Sequence, residues 1–77
     1  MEKLKNLVSK VLQINIDQVD EHLSRDTADQ WDSFNHLLLI SEIEKEFGIT
    51  FNIMEIEQIK LYTDLEDMVL RKGQMKK

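Results

Sequence analysis

The sequence predicts an all-α fold, and three observations support this prediction. The chain has no proline and only two glycines, Gly48 and Gly73, so few residues interrupt helices. Leu, Ile, Glu and Lys, which are common in helices, are abundant. Apolar residues recur every three or four positions in several segments, which is the period of an amphipathic helix. We therefore expect a four-helix bundle forming one domain over residues 1–77.

The first predicted helix covers residues 2–13, and a long loop over residues 14–31 follows it. The helix has one apolar stripe, formed by Leu4, Leu7, Val8, Val11 and Leu12. Four apolar loop residues are expected to reach the core: Ile14, Ile16, Val19 and Leu23. Residues 24–29 have the composition of a surface loop. An ordered loop of this length often belongs to a functional site.

The second predicted helix covers residues 32–47 and ends before Gly48. On a helical wheel its core side contains Ile40, Ile43 and Phe47, flanked by Leu37 and Leu39. The outward side has an apolar pair followed by acids, namely Phe34, Leu38, Glu42 and Glu46. An exposed apolar pair bordered by charges predicts a docking surface.

Two shorter helices are predicted in the last third of the chain. Asn52 and Glu55 have the spacing of a capping box, which predicts a helix over residues 53–59. Thr63 and Glu66 have the same spacing before a helix over residues 64–72, which would end before Gly73 and leave residues 73–77 as a frayed tail. The expected core of the bundle consists of Leu7, Val11, Ile40, Ile43, Phe47, Ile59, Leu65 and Val69.

The composition excludes several classes of function. Fifteen acids against ten bases leave a net charge of −5, which disfavours nucleic acid and anionic membranes as partners and favours basic protein surfaces. Cysteine is absent, so disulfides cannot stabilise the chain and nothing indicates an oxidising compartment. No apolar run is long enough to insert into a bilayer, and no signal-peptide core is present. We expect a cytoplasmic monomer.

The segment WDSFNHLLLISEIEKEFGI, residues 31–49, carries a family resemblance. An Asp-Ser-Phe sequence that opens an amphipathic helix ending in Glu-Lys-Glu-Phe-Gly-Ile resembles the acyl and peptidyl carrier proteins, whose attachment motif is usually Asp-Ser-Leu. The resemblance extends over essentially the whole chain, with a long loop after the first helix and a short third helix. It implies a four-helix bundle of the acyl-carrier-protein type.

The resemblance also implies a cofactor and residues that serve it. Ser33 would be esterified with 4′-phosphopantetheine from coenzyme A, at a helix start that favours the resulting phosphodiester anion. Asp32 matches the family's aspartate, which helps to present magnesium-bound coenzyme A in the transferase complex. Phe34 takes the place of a leucine that contacts partners and the arm. Glu44 and Glu46 align with acids that meet basic patches on partner enzymes.

The implied protein is a non-catalytic carrier that holds thioester-linked acyl or aminoacyl groups. Its partners would be a phosphopantetheinyl transferase, an adenylating acyl or aminoacyl ligase, and a downstream acyltransferase or synthase. Leu38 stands where fatty-acid carriers usually have an acid, and Lys45 interrupts the acidic face. These departures make docking less electrostatic and favour a free-standing carrier of a specialised biosynthetic pathway with dedicated partners.

Other interpretations of the same residues remain open at this point. Ser33 could be an ordinary N-cap serine and Asp32 a dipole-compensating acid, in an unmodified helical interaction module. Ser33 and His36 could form a nucleophile and base, although no third orienting group is evident. His22 and His36 could join loop acids in a metal site, but the acids lack the spacing of a calcium loop. Trp31 is expected to anchor the core or the loop.

Overall fold

The computed structural model describes the backbone of residues 2–75 and the side chains of residues 2–73. Within this range the chain forms four α-helices: α1 (Glu2–Leu12), α2 (Ser33–Phe47), α3 (Ile53–Gln58) and α4 (Tyr62–Met75). A short 3₁₀ turn, Ile16–Gln18, lies in the long loop between α1 and α2. The all-α prediction is confirmed. No helix in the described range is long and apolar enough to cross a bilayer.

The α1 helix packs against α2 through a stripe that is shifted from the predicted one. Leu4, Val8 and Leu12 are fully buried, whereas Leu7 and Val11, which we expected in the core, are only partly buried. Residues four apart share a face of a helix, so burial of Leu4, Val8 and Leu12 turns Leu7 and Val11 to the side of the core. There they border the groove between α1 and α2.

The α2 helix shows a similar rotation about its axis. Ile40 and Ile43 are buried as predicted, and Leu39 is fully buried. Leu37, which we placed beside the core, is instead 59% exposed, and His36 is buried in its place. The prediction failed because it assigned only apolar residues to the core side, although position 36 lies on the same stripe as positions 40 and 43. Once His36 faces inward, the buried stripe runs through positions 36, 39, 40 and 43, and Leu37 lies outside it.

The other expected core residues divide in a similar way. Ile59, Leu65 and Val69 are buried as predicted. Phe47 is only partly buried at the edge of the core, and the ammonium of Lys3 lies 5.7 Å from the centre of its ring. This position lets the last turn of α2 cover the core while one ring face meets a cation.

The long loop is held in place by buried apolar side chains and by backbone hydrogen bonds to the segment around the start of α4. Val19 and Leu23 are buried as predicted, whereas Ile16 is exposed in the 3₁₀ turn. Ser24, predicted as surface, is buried because the chain here runs beside the segment that precedes α4. The Arg25 amide donates to the Lys60 carbonyl at 2.9 Å, and the Tyr62 amide donates to the Leu23 carbonyl at 3.0 Å.

The ends of α2 and α3 follow the predicted capping rules. Gly48 follows α2 in the left-handed conformation, with φ of 65°, and its amide donates to the Glu44 carbonyl. Asn52 and Glu55 form the predicted capping box at α3, with hydrogen bonds of 2.8 and 2.9 Å. The helix ends at Gln58, one residue before the predicted end.

The bounds of α4 differ from the prediction at both ends. The helix begins at Tyr62, two residues before position 64, because a carboxylate oxygen of Asp64 accepts from the amides of Lys60 and Leu61 at 3.0 Å. The capping role predicted for Thr63 falls to Asp64. Gly73, predicted to lie beyond the helix, is inside it, and α4 continues to Met75. Residues 76 and 77 of the predicted tail lie outside the described range.

Candidate functional site

Asp32 and Ser33 form the start of α2. Asp32 is the N-cap residue, and its Oδ1 accepts a hydrogen bond from the Asn35 amide at 2.8 Å. Ser33 is the first helical residue and is exposed. The interpretation of Ser33 as the capping serine is therefore wrong, because Asp32 occupies that position. The structure places Ser33 at a solvent-exposed helix start, next to Asp32, whose carboxylate caps the helix.

A second hydrogen bond ties the long loop to the first turn of α2. The side-chain amide of Asn35 donates to the Gln30 carbonyl at 2.7 Å. Together with the Asp32 cap, this bond determines where the chain enters the helix. The position of Ser33 is therefore set from both sides of the loop–helix junction.

His36 lies buried one turn after Ser33 and is fixed at both ring nitrogens. Its Nδ1 accepts from the indole N–H of Trp31 at 2.9 Å, and its Nε2 lies 2.9 Å from the Ile56 carbonyl oxygen. Because a carbonyl can only accept, Nε2 carries the proton and the ring is the neutral tautomer. Burial lowers the pKa of His36, and the positive charge of Arg25 lowers it further, while the hydrogen bond to Ile56 opposes this shift.

This arrangement argues against His36 as the base that would activate Ser33 as a nucleophile. Both nitrogens of His36 are bonded to other groups, so neither is free to accept a proton from Ser33. Trp31 is confirmed as an anchor, since its side chain is buried and holds the His36 ring. Our sequence analysis missed the link from His36 to α3. A polar residue at a core position of the helical wheel, beside a tryptophan, was the available signal.

The apolar pair on the outward side of α2 is exposed as predicted. Phe34 is 75% exposed and Leu38 is 39% exposed. Both border the same surface pocket beside the C-terminal end of α1. Leu37 adds apolar surface on the same helix that the wheel had assigned to the core.

The three predicted docking acids do not lie together. Glu42 and Glu46 border the groove between α1 and α2, where Glu42 lies 3.7 Å from Lys45 and Glu46 lies 3.0 Å from Lys3. Glu44 has a different environment: its Oε2 accepts from the Phe51 amide at 2.8 Å, which fixes the turn after α2. The acidic side of α2 is thus partly neutralised by lysines.

Two exposed apolar residues on α3 were not predicted as surface. Ile53 and Met54 are largely exposed. The hydrogen bond between His36 and Ile56 joins their short helix to the first turn of α2. A six-residue helix has few positions that can be buried, so its first turn stays outside the core.

A metal site is not found among the residues that the structure describes. No group of three or more histidine or acidic side chains lies close enough together in this range to hold an ion. His36 has no free nitrogen to offer as a ligand, since both are hydrogen-bonded within the protein.

The fold and the site together define a class of protein. A small helical bundle with an exposed Asp-Ser pair opening its second helix has the architecture of a carrier domain. The family model for the phosphopantetheine attachment site matches residues 2–69. The chain therefore belongs to this family, that of the acyl and peptidyl carrier proteins, whose members carry covalently attached 4′-phosphopantetheine. No curated protein matches the chain.

Membership of the family implies which kinds of enzyme the protein interacts with. A carrier protein with a phosphopantetheine arm interacts with a phosphopantetheinyl transferase and with enzymes of the synthase type. Carrier domains of this family are generally non-catalytic.

Proposed function

We propose that Ser33 is the attachment residue, and that the protein is a free-standing acyl or aminoacyl carrier of a specialised biosynthetic pathway. The observation that supports this proposal most directly is the position of Ser33. It is exposed at the first position of α2, between the capping residue Asp32 and the exposed side chain of Phe34. It also lies within the range that the family model matches.

The residues around Ser33 fit a phosphodiester-linked arm. A phosphodiester link requires an alcohol oxygen as the nucleophile, and Ser33 supplies one. The exposure of Ser33 leaves room for a transferase. The N–H groups and the dipole at a helix start favour the anion that the link introduces. When the link forms, Ser33 Oγ bonds to the phosphorus next to the pantetheine, and the bond from that phosphorus to the bridging oxygen of the pyrophosphate breaks. Adenosine 3′,5′-bisphosphate leaves with that oxygen, and solvent takes the proton of the serine hydroxyl. Asp32 keeps the helix start in place and presents a carboxylate to magnesium-bound coenzyme A.

The carrier itself contributes position and not catalysis. The arm supplies a thiol whose thioester keeps an acyl group activated for transfer. Attachment at Ser33 raises the concentration of that acyl group at each docked enzyme. The buried contacts of His36 and the Asn35–Gln30 hydrogen bond keep the attachment point rigid relative to the docking surface.

We place the docking surface on the apolar pair Phe34 and Leu38, with Glu42 and Glu46 at its border. Because lysines lie beside both acids, apolar contact is expected to contribute more than charge. Glu44 is left out of this surface because its side chain is bonded to the Phe51 amide. The proposed partners are an adenylating acyl or aminoacyl ligase and a downstream acyltransferase or synthase.

The test is the intact mass of the protein after incubation with coenzyme A, magnesium and a broad-specificity phosphopantetheinyl transferase. The wild type should gain one phosphopantetheine increment, and Ser33→Ala should gain none. Ser41→Ala is a matched control because Ser41 is an exposed serine of the same helix, and it should be modified like the wild type.

An unmodified chain would contradict the proposal if it is folded and a known carrier in the same tube is modified. The unmodified interaction module would then be the better account. That alternative predicts that Ser33→Ala keeps partner binding, whereas Phe34→Ala or Leu38→Ala abolishes it.

A further inference from the structure

The third helix buries little surface of its own. The α3 helix has six residues, Ile53–Gln58, and none of them is fully buried. A helix this short is not stable in water by itself, because too few hydrogen bonds offset the cost of starting it. Ile59, directly after the helix, is buried, and Ile56 packs against the edge of the core. The position of α3 therefore depends on groups that bind it from neighbouring elements.

Two polar links bind α3, one from α2 and one from α4. From α2, Nε2–H of His36 donates to the Ile56 carbonyl at 2.9 Å. From α4, the ammonium of Lys72 lies 2.9 Å from Oε1 of Glu55. Hydrogen bonds from the Asn52 amide and from Lys72 lower the pKa of Glu55, so this pair keeps both charges in mild acid. Of the two links, only the one through the histidine changes with pH in that range.

A second proton on His36 is incompatible with the observed contacts of its ring. In the neutral ring, Nδ1 has the lone pair that accepts the indole N–H of Trp31 at 2.9 Å, so the added proton goes to Nδ1. Two N–H groups would then face each other at that distance, and the indole would lose its acceptor. A flip of the ring does not help, because both nitrogens of the charged ring are donors. The charged ring therefore has to leave its place beside Trp31.

The charges around the ring do not compensate for a positive charge there. The hydrogen bond to the α3 carbonyl favours the charged ring, but burial outweighs it, and Arg25 of the long loop adds a positive charge. On α3, Glu55 is paired with Lys72 of α4, and Glu57 is exposed. On α2, Oδ1 of Asp32 accepts the capping hydrogen bond of the helix. A charged ring thus moves toward solvent, and its bond to the α3 carbonyl is lost.

We propose that His36 is a pH-sensitive switch for α3: the neutral ring holds the short helix against α2, and protonation lets the helix move away while the rest of the bundle stays folded. The buried Ile59 and the Lys72–Glu55 pair do not depend on the ring. They keep the movement local, because they still join α3 to the core and to α4.

The switch changes the position of an exposed apolar surface. Ile53 and Met54 are 73% and 70% exposed, and both lie in the first turn of α3. While His36 is neutral, its bond to α3 fixes these side chains relative to the first turn of α2. A partner that contacts both helices therefore meets a different surface once the ring is charged. This inference does not depend on attachment at Ser33.

The test follows isoleucine δ1 methyl groups by NMR in the unmodified protein as the pH falls from about 7.5 to about 5. Ile56 reports on α3, and Ile14, which packs against the core from the long loop, reports on the rest of the bundle. The Cε1–H signal of His36 reports the charge of the ring. Below the folded-state pKa of His36, relaxation dispersion at Ile56 should show an open-to-closed ratio that rises up to about tenfold per pH unit. Ile14 should not change.

Three variants provide matched comparisons. In His36→Gln, the side-chain amide offers an acceptor to the indole and a donor to the α3 carbonyl without a titratable group, so α3 should stay closed at every pH. His36→Phe offers neither and should leave α3 open throughout. His22→Gln changes an exposed histidine and should keep the wild-type pH dependence.

Three results would overturn the inference. The first is an Ile56 signal that stays constant while the His36 ring titrates, or a ring that stays neutral until the whole chain unfolds. The second is a parallel change at Ile56 and Ile14, which would mean that the entire bundle opens. The third is wild-type pH dependence in His36→Gln, which would assign the effect to another group. The wild-type spectra decide the question even if a variant fails to fold, and none of these results bears on Ser33.

Discussion

The indole N–H of Trp31 donates a hydrogen bond of 2.9 Å to Nδ1 of His36, and both side chains are buried. The other nitrogen of the same ring reaches the Ile56 carbonyl on α3. One side chain thus joins the end of the long loop, the first turn of α2 and the short third helix. Ser33 lies between Trp31 and His36 in sequence, so this link helps to determine the position of Ser33.

Protonation of His36 is predicted to weaken the fold. In the unfolded chain this histidine binds a proton near its ordinary pKa of about 6.5, whereas burial lowers its pKa in the folded state. The unfolded state therefore binds more protons just below that pH. The full free energy of unfolding is present above pH ~6.5 and falls as the pH drops toward the folded-state pKa, by at most about 1.4 kcal/mol per pH unit.

Urea unfolding of the wild type, His36→Gln and His22→Gln over this pH range measures the effect. The pH dependence should diminish in His36→Gln and persist in His22→Gln, since His22 is exposed. An equal pH dependence in the wild type and His36→Gln would show that other groups cause it.

Removal of the indole donor is predicted to destabilise the protein. Trp31→Phe leaves Nδ1 of His36 buried without its partner, which costs about 1–3 kcal/mol in addition to the loss of packing. Chemical denaturation should show this loss. In a His36→Phe background the same change should cost less, and the difference is the coupling energy of the pair. Additive effects of the two changes would mean that the hydrogen bond contributes nothing measurable.

Asp64 is predicted to stabilise the start of α4. Its carboxylate accepts from the amides of both Lys60 and Leu61, so Asp64→Ala should lower the free energy of unfolding by about 1 kcal/mol. Thr63→Ala tests the competing prediction from the sequence and should have a smaller effect. A larger loss in Thr63→Ala than in Asp64→Ala would restore Thr63 as the cap.

Tyr62→Phe is predicted to keep or raise stability. The Tyr62 hydroxyl is buried and makes no hydrogen bond of ordinary distance and angle, although Glu66 is near enough to act on it. Burial and the negative charge of Glu66 raise the pKa of Tyr62 to about 12. Removal of an unsatisfied buried hydroxyl should stabilise by up to about 1–3 kcal/mol. A loss above about 1 kcal/mol on thermal or urea unfolding would show that the hydroxyl has a bonded partner.

Local rules predicted six of the eight helix ends to within one residue. The capping box at Asn52 and the left-handed Gly48 depend only on residues within one turn, so their spacing in the sequence is sufficient. The start of α4 was wrong because two capping candidates, Thr63 and Asp64, lie side by side. Gly73 was taken as a stop, but α4 passes through it, and a Cβ there would meet no atom within 4 Å.

Burial was harder to predict than helix position. The period of the apolar residues placed α1 and α2 correctly along the chain but did not fix the rotation of either helix about its own axis. Leu7, Val11 and Leu37 were therefore predicted to be more buried than they are. Rotation depends on which neighbour each face meets. Glu44 illustrates the same point, since its partner is an amide seven residues further along the chain.

The sequence by itself determined the helical class, the Asp32–Ser33 motif at the start of α2, and the exposed pair Phe34 and Leu38. These features depend on composition, period and short spacing, which are properties of neighbouring residues. The tertiary structure decided that His36 is a buried neutral link and that lysines lie beside the acids of α2. It also decided that two surface pockets, both bordered by Val11 and Leu38, lie between α1 and α2. Each of the last three features, apart from the Lys45–Glu42 pair, joins residues that are distant in sequence, and only packing brings such residues together.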